Sequence, residues 1–170
     1  ALCVAASHVE TILNREGPPL DMIHAVADAQ HVYLAGPDNG VAAEAALKFS
    51  ETFTAAHFIA GGPTSGVHGW QRGMEEDDVV ILIDPDRRDM PKIREVFDRV
   101  RGVQVFTIGE KYQNHINYSL PTEHKGFDNY YRLAALWRLM VAAADQKGVS
   151  AEDLDHPENV GKIGYHASQT

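Results

Sequence analysis

The chain has 170 residues and carries 15 Lys and Arg against 24 Asp and Glu, a formal charge of −9. A single domain of this size buries enough apolar surface to need neither disulfides nor a structural metal. The acidic balance argues against a general binder of nucleic acid or of membrane surfaces, both of which need a cationic field to attract phosphates. A phosphorylated sugar stays compatible with it, because backbone N–H groups at a helix N-terminus hold phosphate even on an acidic protein.

Residues 1–7 are apolar but lack a basic flank and run at once into His8 and Glu10, so they read as neither a signal peptide nor a membrane span. They read instead as part of an opening helix over 1–15, cut at its beginning, with helical patterning clearest over 7–14. Cys3 is the only cysteine, which leaves no internal disulfide and favours the cytoplasm. A second helix is expected over 20–30 with Pro19 at its opening, where a missing N–H does no harm. A buried strand follows at 31–36 (HVYLAG), then a turn at 37–40 and a helix over 41–53. A weaker strand at 55–60 (AAHFIA) leads into the glycine-rich stretch 61–69.

Two further buried strands are expected at 78–84 (DVVILID) and 102–109 (GVQVFTIG), with a helix over 90–100 between them, Asp89 as its cap and Pro91 in its first turn. These runs are apolar throughout instead of alternating, as strands covered on both faces are. A short fifth strand is read at 117–120. The longest helix, 127–146, carries Tyr130, Tyr131, Leu133, Trp137, Met140 and Val141, too many large apolar groups for a free solvent face, so it should pack on the sheet and on a neighbour. The tail 147–170 is polar and loop-like. No repeat, low-complexity tract or long linker divides the chain, and the alternation of strand and helix predicts one α/β domain, a three-layer, doubly wound, five-stranded parallel sheet.

In such a sheet ligands sit beyond the carboxyl ends of the strands, so the informative loops follow Gly36, Ala60, Asp84 and Gly109. Pro37-Asp38-Asn39-Gly40 reads either as a tight turn whose Asp38 or Asn39 caps the next helix or as part of a ligand loop. In the helix it enters, Glu44, Lys48 and Glu51 fall within about 60° of one another at 100° per residue. That stripe is either a solvated salt-bridge ladder or a carboxylate base held by a lysine. The loop Gly61-Gly62-Pro63-Thr64-Ser65-Gly66-Val67-His68-Gly69 bends sharply and delivers His68, the one histidine singled out here; the other eight show no metal-ligand spacing. Asp84-Pro85-Asp86-Arg87-Arg88-Asp89 reads most simply as self-neutralising, with pairing of Arg87 or Arg88 to a ligand or partner carboxylate as the alternative.

The order of these features, from the strand at Val32 through Ala43-Glu44-Ala45-Ala46-Leu47-Lys48-Phe49-Ser50-Glu51 to Gly61-Gly62 and His68-Gly69, resembles the sugar isomerase (SIS) domain. More narrowly it is similar to the second SIS domain of the isomerase half of glucosamine-6-phosphate synthase and of related deglycases. The closing segment Asp155-His156-Pro157-Glu158-Asn159-Val160-Gly161-Lys162 and the opening Ser7-His8-Val9-Glu10 are similar to that family too, so the resemblance spans 7–162.

The resemblance implies a flavodoxin-like five-stranded parallel sheet and a ketose/aldose phosphosugar isomerase that needs no metal or redox cofactor. Carried over position by position, Glu51 is the base moving a proton between sugar C1 and C2, and Lys48 is its neighbour. His68 opens the ring across a subunit contact, and Lys162 meets the open-chain carbonyl. Asp38, Asn39, Gly40, Glu44, Thr64 and Ser65 line the sugar. The family's phosphate cradle is a Ser-x-Ser-Gly-x-Thr loop, and Asp84-Pro85-Asp86 stands at that place here. The implied partner is therefore a second SIS domain or subunit that supplies the phosphate site, in a homo-oligomer that is at least dimeric. A fructosamine-6-phosphate deglycase and a non-catalytic sugar-phosphate sensor are the alternative activities.

Overall fold

Five strands, β1 (His31–Ala35), β2 (His57–Gly61), β3 (Val79–Ile83), β4 (Gln104–Gly109) and β5 (Ile116–Ser119), stand side by side in the order β2-β1-β3-β4-β5, every pairing parallel. The computed structural model describes residues 2–14, 17–36, 40–53, 56–62, 69–109, 116–120 and 128–149. The helices are α1 (Leu2–Asn14), α2 (Leu20–Asp28), α3 (Val41–Thr52), α4 (Met90–Phe97) and α5 (Asp128–Lys147), with a 3₁₀ turn at Trp70–Arg72. The doubly wound sheet expected from the sequence is the one observed, with its order reversing between β1 and β3.

The reversal decides which helix covers which face. The connections β1→β2 and β3→β4 step in opposite directions across the sheet, and a right-handed crossover then places α3 and α4 on opposite sides. Side-chain alternation does the rest. Val32 and Leu34 of β1, Val79, Ile81 and Ile83 of β3, and Phe106 and Ile108 of β4 pack in one cluster with α1, α2, α3 and α5. Tyr33, Ala35, Val80 and Leu82 point the other way, onto Met90, Ile93 and Phe97 of α4. Two buried faces explain why these strands read as unbroken apolar runs. β2, at the edge, is only partly covered, which is why its sequence signal is weaker.

The element ends differ from the expected ones for local reasons. β4 starts at Gln104, not 102, because Gly102 holds φ 85 in a turn where a Cβ would collide with Glu76. α2 stops at Asp28 because Ala29 is already extended, with ψ 142. α4 ends at Phe97 instead of 100, and the strands expected at 55–60 and 117–120 lie at 57–61 and 116–119. Asp89 does occupy the N-cap position of α4, but in helical conformation and with no side-chain cap bond; Pro91 is in the first turn as expected.

α5 divides its apolar residues. Tyr131, Leu136 and Leu139 are buried, and Ala134, Ala135, Ala143 and Ala144 let neighbouring elements approach closely. Tyr130, Trp137 and Val141 remain exposed, so the chain's own elements cover part of the large apolar groups of this helix. Its cations finish other helices. Arg138 Nη1 donates to the Ile12 carbonyl in the last turn of α1, and Lys147 Nζ donates to the Ala27 carbonyl of α2 at 2.8 Å. Both meet carbonyls that have no partner within their own helix and lie at its negative end.

Phe49 packs against Phe53 and Phe58 with ring centroids at 6.1 and 4.9 Å and is fully buried, whereas Leu47, two residues earlier on α3, is 52% exposed. Phe49→Ala should lower unfolding stability by about 3–5 kcal/mol and Leu47→Ala by less than about 0.5 kcal/mol, read as urea midpoints at unchanged slope.

Candidate functional site

α3 leaves the carboxyl end of β1 through Gly40, whose φ of 80 suits glycine and lets its carbonyl accept the first helical bond, from Glu44 N at 2.9 Å. The N-cap position is held by Gly40; Asp38 and Asn39, read as cap or ligand-loop residues, lie outside the described residues. Farther along, Lys48 Nζ donates to Glu51 Oε2 at 2.9 Å. That bond, reinforced by the charge of Glu51 and then of Glu44, raises the Lys48 pKa above its ordinary value. Both side chains are about half exposed. Thr52 Oγ1 donates to the Lys48 carbonyl at 2.9 Å and meets Met140 Sδ of α5 at 3.3 Å, which ties this end of α3 to the longest helix.

The stripe expected on α3 is present, but its members stand at different depths. The helix runs antiparallel to the strands, so Glu44 lies near their carboxyl ends, and a rise of 1.5 Å per residue puts Lys48 and Glu51 about 10 and 15 Å below Val41. The Lys48–Glu51 pair therefore lies on the outer flank of the sheet layers, not in the mouth of the crevice.

Past the carboxyl ends of β1, β3 and β4 the described residues pack closely and pair in charge. Gly36 abuts the Ile83 side chain, which a Cβ at that position would meet at 3.3 Å. Asp84, just past β3 with φ 43, receives Nε of Arg132 at 2.7 Å and also Nη2 on the same oxygen, Oδ2. Arg132 Nη1 donates to Asn129 Oδ1 at 2.8 Å, and the Asp84 N–H donates to the Ile108 carbonyl at 2.8 Å. Gly109 has φ 128, and any side chain there would overlap the Asp84 carboxylate. Self-neutralisation of the 84–89 loop is seen for Asp86, which accepts from Arg88 through N, Nε and Nη2 at 2.6–3.2 Å. The partner of Asp84 lies 48 residues away and was not foreseen; a lone basic residue in the first half of α5 is the only hint the sequence offers.

His68, Thr64, Ser65 and Lys162 lie outside the described residues. At the far side of the His68 loop, Trp70 packs on Tyr33 with ring centroids 5.2 Å apart, which anchors the chain to the sheet. Burial first, then Asp78 and Glu75, raises the Tyr33 pKa, so its phenol stays neutral. His31, one of the eight histidines without metal-ligand spacing, meets buried Asp78 at 3.0 Å and stacks on His57 at 5.5 Å. Near the amino ends of the strands a groove of about 570 Å³ is lined by Asp21, His24, Asp28, Asp77, Gln104 and Ile116; its three carboxylates repel an anionic ligand. Among the described residues no group of three or more His, Cys, Asp or Glu is arranged to hold a metal ion, and no helix is long and apolar enough to cross a membrane.

Arg88 holds the Asp86 carboxyl at about 2, well below its usual 3.8. A depressed acid contributes stability above its unfolded pKa and loses it as pH falls through the folded one, so this contribution fades between pH 3.8 and about 2. Carboxyl ¹³C titration should give Asp86 a midpoint near 2, and Arg88→Ala should return it to the ordinary range.

No protein-family model and no curated protein sequence matches the chain. Solved structures do. The C-terminal domain of glucosamine-fructose-6-phosphate aminotransferase from Francisella tularensis aligns at TM-score 0.61 and 18% identity over 86% of this chain and 42% of that one. Tagatose-6-phosphate ketose/aldose isomerase from Escherichia coli aligns at TM-score 0.62 and 22% identity over 84% and 42%. An Escherichia coli CFT073 protein solved in complex with A5P aligns at TM-score 0.64 and 17% identity over 88% and 89%. The chain thus spans about two fifths of the first two and most of the third, and its fold is that of these sugar-phosphate isomerase and related structures.

Proposed function

We propose that the chain is an SIS domain that binds a phosphorylated sugar and acts as the catalytic half of a cytoplasmic ketose/aldose isomerase of the aminosugar-forming type. The observation that carries this reading is the Lys48–Glu51 pair at 2.9 Å, a carboxylate steadied by an ammonium ion on the helix that follows the first strand of this fold. Isomerisation needs a base over two adjacent carbons, an acid to open the ring, and a cation or imine at the carbonyl.

Glu51 takes a proton from C1 of the open-chain ketose while the C2 oxygen gains one, which gives an enediol. Return of the carbon-bound proton to C2, with loss of the hydroxyl proton at C1, gives the aldose. Lys48 occupies Oε2 and leaves Oε1 for the substrate. His68 supplies the ring-opening proton, and Lys162 meets the carbonyl. Asp38, Asn39, Gly40, Glu44, Thr64 and Ser65 contact the sugar hydroxyls.

Glu51 is 45% exposed on an outer flank, and a base needs a drier surround to discriminate between ligand and water. A second subunit or SIS domain packed on that flank, bringing its own phosphate site, completes the pocket and makes the competent form at least dimeric. The length relation to the two larger structures is compatible with that arrangement. The same exposure favours one other reading, a sugar-phosphate sensor in which the pair is only a surface ladder.

Fructose 6-phosphate in heavy water separates these readings. An isomerase exchanges hydrogen at C1 by NMR, a sensor binds without exchange, and a deglycase instead frees an amine from a fructosamine phosphate. Glu51→Gln should cut exchange by at least about 10²-fold with binding unchanged within a factor of about three. Exchange surviving that substitution removes Glu51 as the base.

A further inference from the structure

At the carboxyl end of the sheet, where this architecture ordinarily receives a ligand, the chain presents a cation that is already engaged. Arg132 reaches from α5 to the end of β3 and directs Nε and Nη2 to one oxygen of Asp84, while Nη1 is held by Asn129. The pair is largely shielded, with Arg132 14% and Asp84 26% exposed. It is also built in by the backbone. Asp84 sits at φ 43, a conformation that Asp tolerates better than most residues, and its carboxylate lies over Gly109, the one residue type that leaves it room. Two converging guanidinium N–H groups over a glycine backbone are the donors an oxyanion recruits.

We propose that Asp84 is a specificity-determining residue: a resident carboxylate that saturates Arg132 and denies this chain's own crevice to the phosphate of a sugar. The inference rests on the phosphosugar reading and adds a direction to it. A sugar phosphate in contact with Glu51 extends its phosphate away from the β3 loop, toward groups that another domain or subunit provides.

The test uses inorganic phosphate and the full chain, so it does not depend on turnover. Thermal unfolding is followed with and without about 10 mM phosphate at constant ionic strength. Asp84→Gly keeps the positive φ and removes the carboxylate. It should gain about 3 °C from phosphate over the wild-type response and bind it at least about tenfold more tightly. Adding Arg132→Ala to Asp84→Gly should abolish the gain. Asp84→Asn, which keeps the shape and loses the charge, should show a smaller gain and serves if the glycine variant fails to fold. A wild-type chain that binds phosphate through Arg132, or Asp84 variants that gain nothing, would overturn the proposal. Fructose 6-phosphate exchange that is absent while the Asp84 variants gain phosphate would discard the isomerase reading and leave the role of Asp84 standing.

Discussion

A parallel strand whose side chains alternate between two buried faces leaves its ends for charged groups, and that constraint shapes this molecule. β1, β3 and β4 commit Val32, Leu34, Ile81, Ile83, Phe106 and Ile108 to one helical layer and Tyr33, Val80 and Leu82 to the other. Charged groups are thereby driven to the strand termini and the outer helix surfaces, because an unpaired charge between the layers would go uncompensated. The amino ends carry His31 and Asp78, the carboxyl ends carry Asp84 and Arg132, and the outer flank of α3 carries Lys48 and Glu51.

These three locations differ in what they can do. Asp78 is buried and both of its oxygens are engaged, one by His31 and one by the Glu75 N–H at 2.8 Å, so it secures the turn before β3. Asp84 and Arg132 join the ends of β3 and α5 across 48 residues of sequence, which ties the last helix to the centre of the sheet. Of the three, the Lys48–Glu51 pair is the one open to solvent on both partners. The proposed chemistry therefore lies on a helix flank, and it needs another surface to enclose it.

Much of this was legible in the sequence. Unbroken apolar runs identified the buried strands, and turn residues separated them, because double burial removes the polar alternation that would otherwise mark a strand. The α3 stripe was legible from helical spacing alone. Less was visible wherever the answer depended on contacts distant in sequence. Periodicity could not indicate that Asp84 pairs with Arg132 while Asp86 pairs with the adjacent Arg88, since both acids belong to the same short loop. Nor could it show that Tyr130, Trp137 and Val141 remain exposed while Tyr131 and Leu136 are buried; composition supplies the apolar residues of α5, but the positions of α1, α2 and α3 decide which face is covered. Helical spacing groups Glu51 with Glu44 and Lys48 but does not give its depth, and ten residues of helix carry it about 15 Å below Val41.

The exposure of the Lys48–Glu51 pair bears on why it exists. An i,i+3 pair with both partners about half exposed contributes little to folding, since water screens the attraction and two long side chains lose freedom to make it. What it does in water is narrow the directions a carboxylate takes. Orientation becomes valuable when a ligand and a second protein surface displace the water, for the Coulomb attraction then strengthens and the oxygen left free has a defined approach. A pair of small value to the free chain and larger value in a covered site is what a domain completed by another would carry. On the proposed reading the occupied Arg132 at Asp84 and the open flank at Glu51 are complementary, the first turning the phosphate away and the second receiving the carbons that react.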